Sequence, residues 1–215
     1  MRSFIAASFA ALALSLAAPA VAADANEPHP HQGSLSPYPT PPAPVSLDAA
    51  QEATFLSGKP VYTQVDSGNQ GRGVAVFLVD ASPEKVWSTI ESFSSYPSWI
   101  DGVKTCEVYQ TSGDHTFVRF VIGKMGMSIE YFIDHQRPAG AEWMTWTLDY
   151  SRHSDLDDSV GMWRVTPLEG DASKSRVEYS VDVGVDGWVP GFIREFLVDQ
   201  GLKDATSWLK TQSER

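Results

Sequence analysis

A single cysteine, Cys106, occurs in 215 residues, so no intramolecular disulfide staples this chain. No basic cluster surrounds it to lower its pKa, and it reads as a small buried hydrophobe on a strand. Basic residues are scarce as well: 16 Lys and Arg stand against 27 Asp and Glu, a formal net charge of -11. A phosphate-binding surface needs clustered Lys and Arg, so nucleic acid is excluded as an expected partner. The longest apolar run falls short of the ~20 residues of a comfortable membrane span. The sequence has no G-x-S-x-G, no H-E-x-x-H and no phosphate-binding Gly loop, and Gly123 and Gly126 alone are too sparse to make one. What is present is 42% hydrophobic residues, enough for one domain with a real core plus tails.

Residues 1–22 read as a signal peptide. Arg2 is the charged start, residues 4–18 are apolar except for Ser8 and Ser15, and Ala20-Val21-Ala22 puts small residues at both positions that direct cleavage. The expected mature chain begins at Ala23 and is periplasmic or secreted. The rival reading is an uncleaved anchor; no Cys follows the site to carry a lipid. Residues 23–46 hold the stretch PHPHQGSLSPYPTPPAPVS and are expected to form a disordered, semi-extended leader that contributes little to folding. His29 and His31 stand two apart and could share an ion, but on a floppy segment such a pair reads as incidental. No metal and no cofactor is assigned.

Residues 47–215 form the expected domain. A short helix from Leu47 to Leu56 is followed by a strand from Val61 to Val65 and another from Gly73 to Val79. Ser82 then stands as an N-cap, with Pro83 as the first helical residue. Val86, Trp87 and Ile90 form the buried face of that helix, which should break around Ser94, Ser95 and Pro97. From Lys104 onward, strands alternate with short Gly, Pro and Asp turns, the pattern of an antiparallel meander. Val189, Phe192, Ile193, Phe196 and Leu197, continued by Ala205, Trp208 and Leu209, predict a long amphipathic helix at the end. The class is α+β.

The stretch V-x-A-S-P-E-x-V-W, a helix, then S-Y-P-x-W-x-x-G-V-K (Val79 to Lys104) resembles the opening of the START-like superfamily. That superfamily, also called the SRPBCC group, includes the polyketide cyclase/dehydrase and coenzyme Q-binding families. The resemblance runs from about Gly71 to Lys210. It implies a helix-grip (START/Bet v 1-like) fold, in which a curved antiparallel sheet wraps a long C-terminal helix.

Alternation places Ile129, Tyr131 and Ile133 on one side of a strand, and Met144, Trp146, Leu148 and Tyr150 on one side of another. Period-2 patterning does not separate a filled core from a hollow one; the resemblance favours a cavity. The expected ligand-binding residues are Trp99 at the mouth, Tyr131, Met144 and Trp146 on the sheet, and Phe192 and Phe196 on the terminal helix. Met125, Met127, Met144 and Met162 would suit an adaptable lining. Residues 151–158, SRHSDLDD, read as a hydrated surface link, although His153 with Asp155 has the makings of an acid/base pair. Glu130 with Arg119 or Arg164 reads as a cross-strand surface pair.

The expected function is binding or transport of a hydrophobic small molecule, a lipid, isoprenoid or quinone, in an internal cavity. The alternative is a polyketide cyclase/dehydratase-like enzyme using the same cavity, and no catalytic residue is assigned. A protein-interaction role, as in chaperone-activator members of the superfamily, is disfavoured by export and acidity. The partner is the ligand, with transient membrane contact possible and a monomer expected.

Overall fold

The structure, a computed structural model, describes residues 22–67, 70–124, 126–184 and 201–215. Its helices are α1 (Ala49–Leu56), α2 (Pro83–Ile90), a 3-10 turn (Phe93–Ser95), α3 (Tyr96–Trp99) and α4 (Gly201–Ser213). The strands are β1 (Val61–Ser67), β2 (Gln70–Val79), β3 (Val103–Ser112), β4 (His115–Lys124), β5 (Met127–Gln136), β6 (Trp143–Leu148), β7 (Asp158–Leu168) and β8 (Asp171–Gly184). They form one eight-stranded sheet in the order β1-β2-β8-β7-β6-β5-β4-β3. Every pairing is antiparallel. This is the α+β, START/Bet v 1-like architecture, with a C-terminal helix against a curved sheet. Among the described residues no helix is long and apolar enough to cross a membrane.

Residues 74–79 of β2, VAVFLV, are apolar at both parities, and all six side chains are buried. A strand buried on both faces lies between two layers. Ala75, Phe77 and Val79 join a core with Val86, Trp87 and Ile90 of α2 and Leu209 of α4. Val74, Val76 and Leu78 point the other way and pack with Phe55 of α1 and Val45. Local chemistry sets the helices that supply these faces. Asp48 and Gln51 make a capping box at the start of α1. Ser82 caps α2 ahead of Pro83. Pro97 lies in the first turn of α3, where its missing N–H costs nothing, so it opens a new turn after α2 has already ended at Ile90.

Helix α4 is tied to the end of β2. Lys210 Nζ donates to the Leu78 carbonyl at 3.1 Å and pairs with Glu214 at 2.7 Å, and Glu214 accepts the Asp80 N–H at 2.9 Å. The expected stripe from Val189 to Leu197, including Phe192 and Phe196, lies outside the described residues.

Residues 23–46 correct the expectation of a disordered leader, because they form the outer layer of the sheet. Asp158 is fully buried, and its carboxylate accepts the N–H groups of Ser34 (2.5 Å) and Leu35 (2.6 Å), the Tyr150 hydroxyl (2.7 Å) and the Ser159 N–H (2.8 Å). Gly33 makes this approach possible: it holds φ +104°, and a Cβ there would lie 2.6 Å from the Tyr150 hydroxyl oxygen. Tyr38 donates to Ser180 Oγ at 2.5 Å, and the guanidinium of Arg72 donates to the Ser36 carbonyl. Buried Glu178 accepts the Val45 N–H at 3.1 Å and Arg176 Nε at 3.1 Å, while Arg176 also donates to the Val45 carbonyl at 2.8 Å. Buried carboxylates persist only when they are hydrogen-bonded, and here the leader supplies the N–H groups of Ser34, Leu35 and Val45.

The same contacts correct the reading of residues 151–158 as a hydrated link. Ser154, Leu156 and Asp158 are buried, and Asp24 bridges His153 through two backbone hydrogen bonds of 2.9 and 3.0 Å. The Arg119–Glu130 pair lies partly exposed across β4 and β5, as expected, with contacts of 2.7 and 3.1 Å.

Candidate ligand-binding site

The inner face of the sheet does not close completely on its helices. A cavity of about 160 Å³ lies between them. The 3-10 turn and the α3 end supply Phe93, Tyr96 and Ile100; β4 and β5 supply Phe120, Tyr131, Ile133 and His135. Trp146 of β6, Trp163 of β7, Tyr179 and Val181 of β8 and Trp208 of α4 complete most of the wall. The rings pack on one another: Phe120 stacks on Tyr131 at 5.2 Å, Trp163 lies 4.1 Å from Tyr179, and Trp208 lies 4.9 Å from Tyr96. A glycine makes room for the central ring. Trp146 faces Gly161 across β6 and β7, and a Cβ at Gly161 would lie 2.0 Å from Trp146 Cζ2 and 2.6 Å from the Ser180 carbonyl oxygen.

Among the described lining residues there is no Asp, Glu, Lys or Arg. The polar groups include His135, Ser159 and the hydroxyls of Tyr131 and Tyr179, while the Tyr96 hydroxyl is taken up by the Ile90 carbonyl at 2.5 Å. Burial holds the His135 imidazole neutral, lowering its pKa to about 3, with the Thr116 backbone opposing only in part. Burial likewise pushes both tyrosines upward, so the phenols stay protonated. His135 Nδ1 is buried without a hydrogen-bond partner among the described residues. The site thus offers uncharged polar groups in an aromatic wall.

Of the residues expected from sequence, Tyr131 and Trp146 come together in this wall. Trp99 does not reach it: half-buried, it stacks on Trp208 at 6.2 Å and supports that ring from behind, while Ile100 takes the lining position. Met144 falls outside the wall because that end of the sheet is filled by the core it shares with Trp87 and Ile90. No methionine is among the described residues of the wall. Met162 points to the outer layer, Met127 is largely exposed, and Met125 lies outside the described residues. His135 was legible, since the alternation Ile129, Tyr131, Ile133 continues to it in the next step. Cys106 is buried, and burial raises its thiol pKa, in keeping with a structural role.

A second cluster lies outside the cavity. The ligand atoms of His29, His31 and Asp157 all fall within 4.8 Å of one another. Both rings are fully engaged, however. His29 Nε2 bonds the Asp157 carbonyl at 2.8 Å while its Nδ1 accepts the Ser154 N–H at 3.4 Å. His31 Nε2 bonds Asp157 Oδ1 at 2.9 Å while its Nδ1 accepts the Gly33 N–H at 3.0 Å. Nδ1 acceptors require Nε2 donors in neutral imidazole, so no lone pair remains for a cation in this arrangement. The pair is neither floppy nor incidental; it fastens the leader.

A curved antiparallel sheet, a C-terminal helix against it and an aromatic cavity between them define a START-like protein. The family model for "Polyketide cyclase / dehydrase and lipid transport" matches residues 72–214, more than half of the chain, and the chain belongs to that family. Solved structures share the fold. The Zhui aromatase/cyclase from Streptomyces sp. R1128 superposes with a TM-score of 0.54 at 12% identity, covering 73% of this chain and 94% of that one. A START superfamily protein from Mycobacterium smegmatis gives 0.53 at 21% identity, covering 66% and 95%. A STAR-related lipid transfer protein from Xanthomonas axonopodis gives 0.53 at 10% identity, covering 72% and 99%. Among curated proteins none matches the sequence.

Proposed function

We propose that this protein binds an uncharged, ring-bearing hydrophobic molecule in the aromatic cavity and carries it without converting it. The observation behind this reading is the uncharged lining among the described residues: apolar and aromatic side chains with His135, Ser159 and three tyrosines among them. A charged ligand would lose its hydration there with nothing to replace it. A neutral ligand with one oxygen function, such as a phenol or the ring of a quinone, gains hydrogen bonds from Tyr131, Tyr179 or His135. A cavity near 150 Å³ takes a benzene-sized solute, so about 160 Å³ holds one ring. Burying the roughly 150–250 Å² of a single aromatic ring at about 25 cal/mol per Å² gives about 4–6 kcal/mol before ordering costs. One-ring probes should therefore bind in about the millimolar range. Family membership and the lipid-transfer neighbour are consistent with carriage.

The cyclase alternative draws on His135, whose Nδ1 is unpartnered. Its pKa, lowered to about 3, makes it a weak base at neutral pH, whereas an effective general base titrates near the operating pH. The same neutral imidazole serves well as a hydrogen-bond partner. Export to the periplasm or medium is part of the proposal and would also separate the protein from cytoplasmic synthases.

The test is a titration with toluene, p-cresol and 4-methylbenzoate, followed by NMR. The two neutral rings should bind and the carboxylate should not. Tightest binding of the carboxylate, or binding of none of the three, would refute the reading.

A further inference from the structure

Ala23 is the residue at which the sequence predicts the mature chain to begin, and its nitrogen has a defined partner. Ala23 N lies 2.9 Å from Asp155 Oδ1, while Asp155 Oδ2 accepts the Glu130 N–H at 2.7 Å. The next residue, Asp24, is locked to His153 by two backbone hydrogen bonds of 2.9 and 3.0 Å, which fixes where the Ala23 nitrogen sits. The small residues Ala20 and Ala22 that direct cleavage stand immediately before it.

We propose that Asp155 is an anchor for the new N-terminus, a carboxylate that receives the α-ammonium of Ala23 once residues 1–22 are removed. Hydrolysis by an export-pathway signal peptidase breaks the Ala22–Ala23 C–N bond. Water gives its hydroxyl to the Ala22 carbonyl carbon and a proton to the Ala23 nitrogen, which takes up a second proton from solvent below its pKa. The amide N–H that already meets the carboxylate thereby becomes an ammonium, and a hydrogen bond with charge on the acceptor alone becomes one with charge on both partners. The surroundings favour the cation. Glu27, Asp24 and His153 line the same groove, Asp24 directs its carboxylate to Asn26 N, and the Glu130 carboxylate is occupied by Arg119. Asp155 is one residue from Leu156, which lines the cavity, so maturation strengthens the hold on the segment that forms the cavity rim.

The pair also sets a sign. An α-amine whose folded pKa is raised above its unfolded value of about 7.7–8.0 contributes stability below that pH and loses it as pH rises through the folded pKa.

The test uses the full chain expressed with residues 1–22 in an exporting host. N-terminal sequencing should return Ala23; any other start overturns the proposal. NMR titration of the Ala23 amine, labelled with 15N, should then give a pKa about one unit above the free range, a tenfold preference for the cation. In Asp155→Asn the pKa should fall back toward that range. A chain acetylated at Ala23 keeps the N–H and the fold but not the charge. Its thermal midpoint should lie below that of the free-amine chain at pH 6 and converge with it above about pH 9. An ordinary α-amine pKa in the wild-type chain, or identical midpoints at pH 6, would overturn the assignment.

Discussion

Replacing Asp158 by Ala should release the leader and destabilise the whole protein. The carboxylate is fully buried and accepts hydrogen bonds from Ser34, Leu35, Tyr150 and Ser159. If the leader stayed in place, four donors would lose their acceptor, at about 1–3 kcal/mol each. Detachment is cheaper, because the Ser34 and Leu35 N–H groups then reach water. The expected loss is that of the Tyr150 and Ser159 partners plus the leader's own contacts, about 2–5 kcal/mol, or about 10 °C in Tm for a chain of this size. Calorimetry gives the midpoint, and amide exchange at Leu35 reports the leader directly. The pH dependence follows the same logic. Burial opposes ionisation of Asp158, but the Leu35 N–H, the Tyr150 hydroxyl and the N–H groups of Ser34 and Ser159 outweigh it and hold its pKa below the ordinary carboxylate value. Its contribution is therefore present above about pH 4, the unfolded value, and lost as pH falls through the folded one. An unchanged midpoint with a Leu35 amide still protected in Asp158→Ala would refute the reasoning.

Three further outcomes are expected. Gly161→Ala puts a methyl where Trp146 and the Ser180 carbonyl already lie, so both the indole and the β8 backbone must shift; p-cresol binding should be lost together with a drop of several degrees in Tm, as read by NMR and calorimetry. His135 is buried neutral with a pKa near 3, so it should contribute a fall in stability of up to about 1.4 kcal/mol per pH unit from pH 6.5 down towards 3, and urea titrations should show the slope in that range become shallower in His135→Phe. Leu209, fully buried between α2 and β2, should cost about 2–5 kcal/mol as Ala; an unaffected urea midpoint would mean that α4 is dispensable.

The sheet and its helices were legible because each carries a periodic signal: Val86, Trp87 and Ile90 on α2, and Tyr131 with Ile133 on β5. The outer layer was not. Its anchors are backbone N–H groups of Ser34, Leu35 and Val45, which every residue but proline possesses, and a Pro-rich stretch has no period from which to read a docking face. The partner carboxylates, Asp158 and Glu178, look like any surface acids until the chain folds. A clue was nonetheless present in residues 74–79: a run apolar at both parities needs a cover on each side, and one helical layer supplies only one. Met144 and Trp146 share a parity, yet only Trp146 reaches the cavity, because parity selects the face and the placement of α2 decides which end of that face is filled.

The central claim, carriage of an uncharged hydrophobic molecule, is tested most directly by native mass spectrometry of the full chain purified from its own source, followed by mass analysis of any retained molecule before and after prolonged incubation with the protein. The account predicts a neutral, ring-bearing compound that is recovered unchanged and is missing from Trp146→Ala preparations that still fold. A retained anion, or conversion of the compound to a new product that stops in folded His135→Phe, would contradict it.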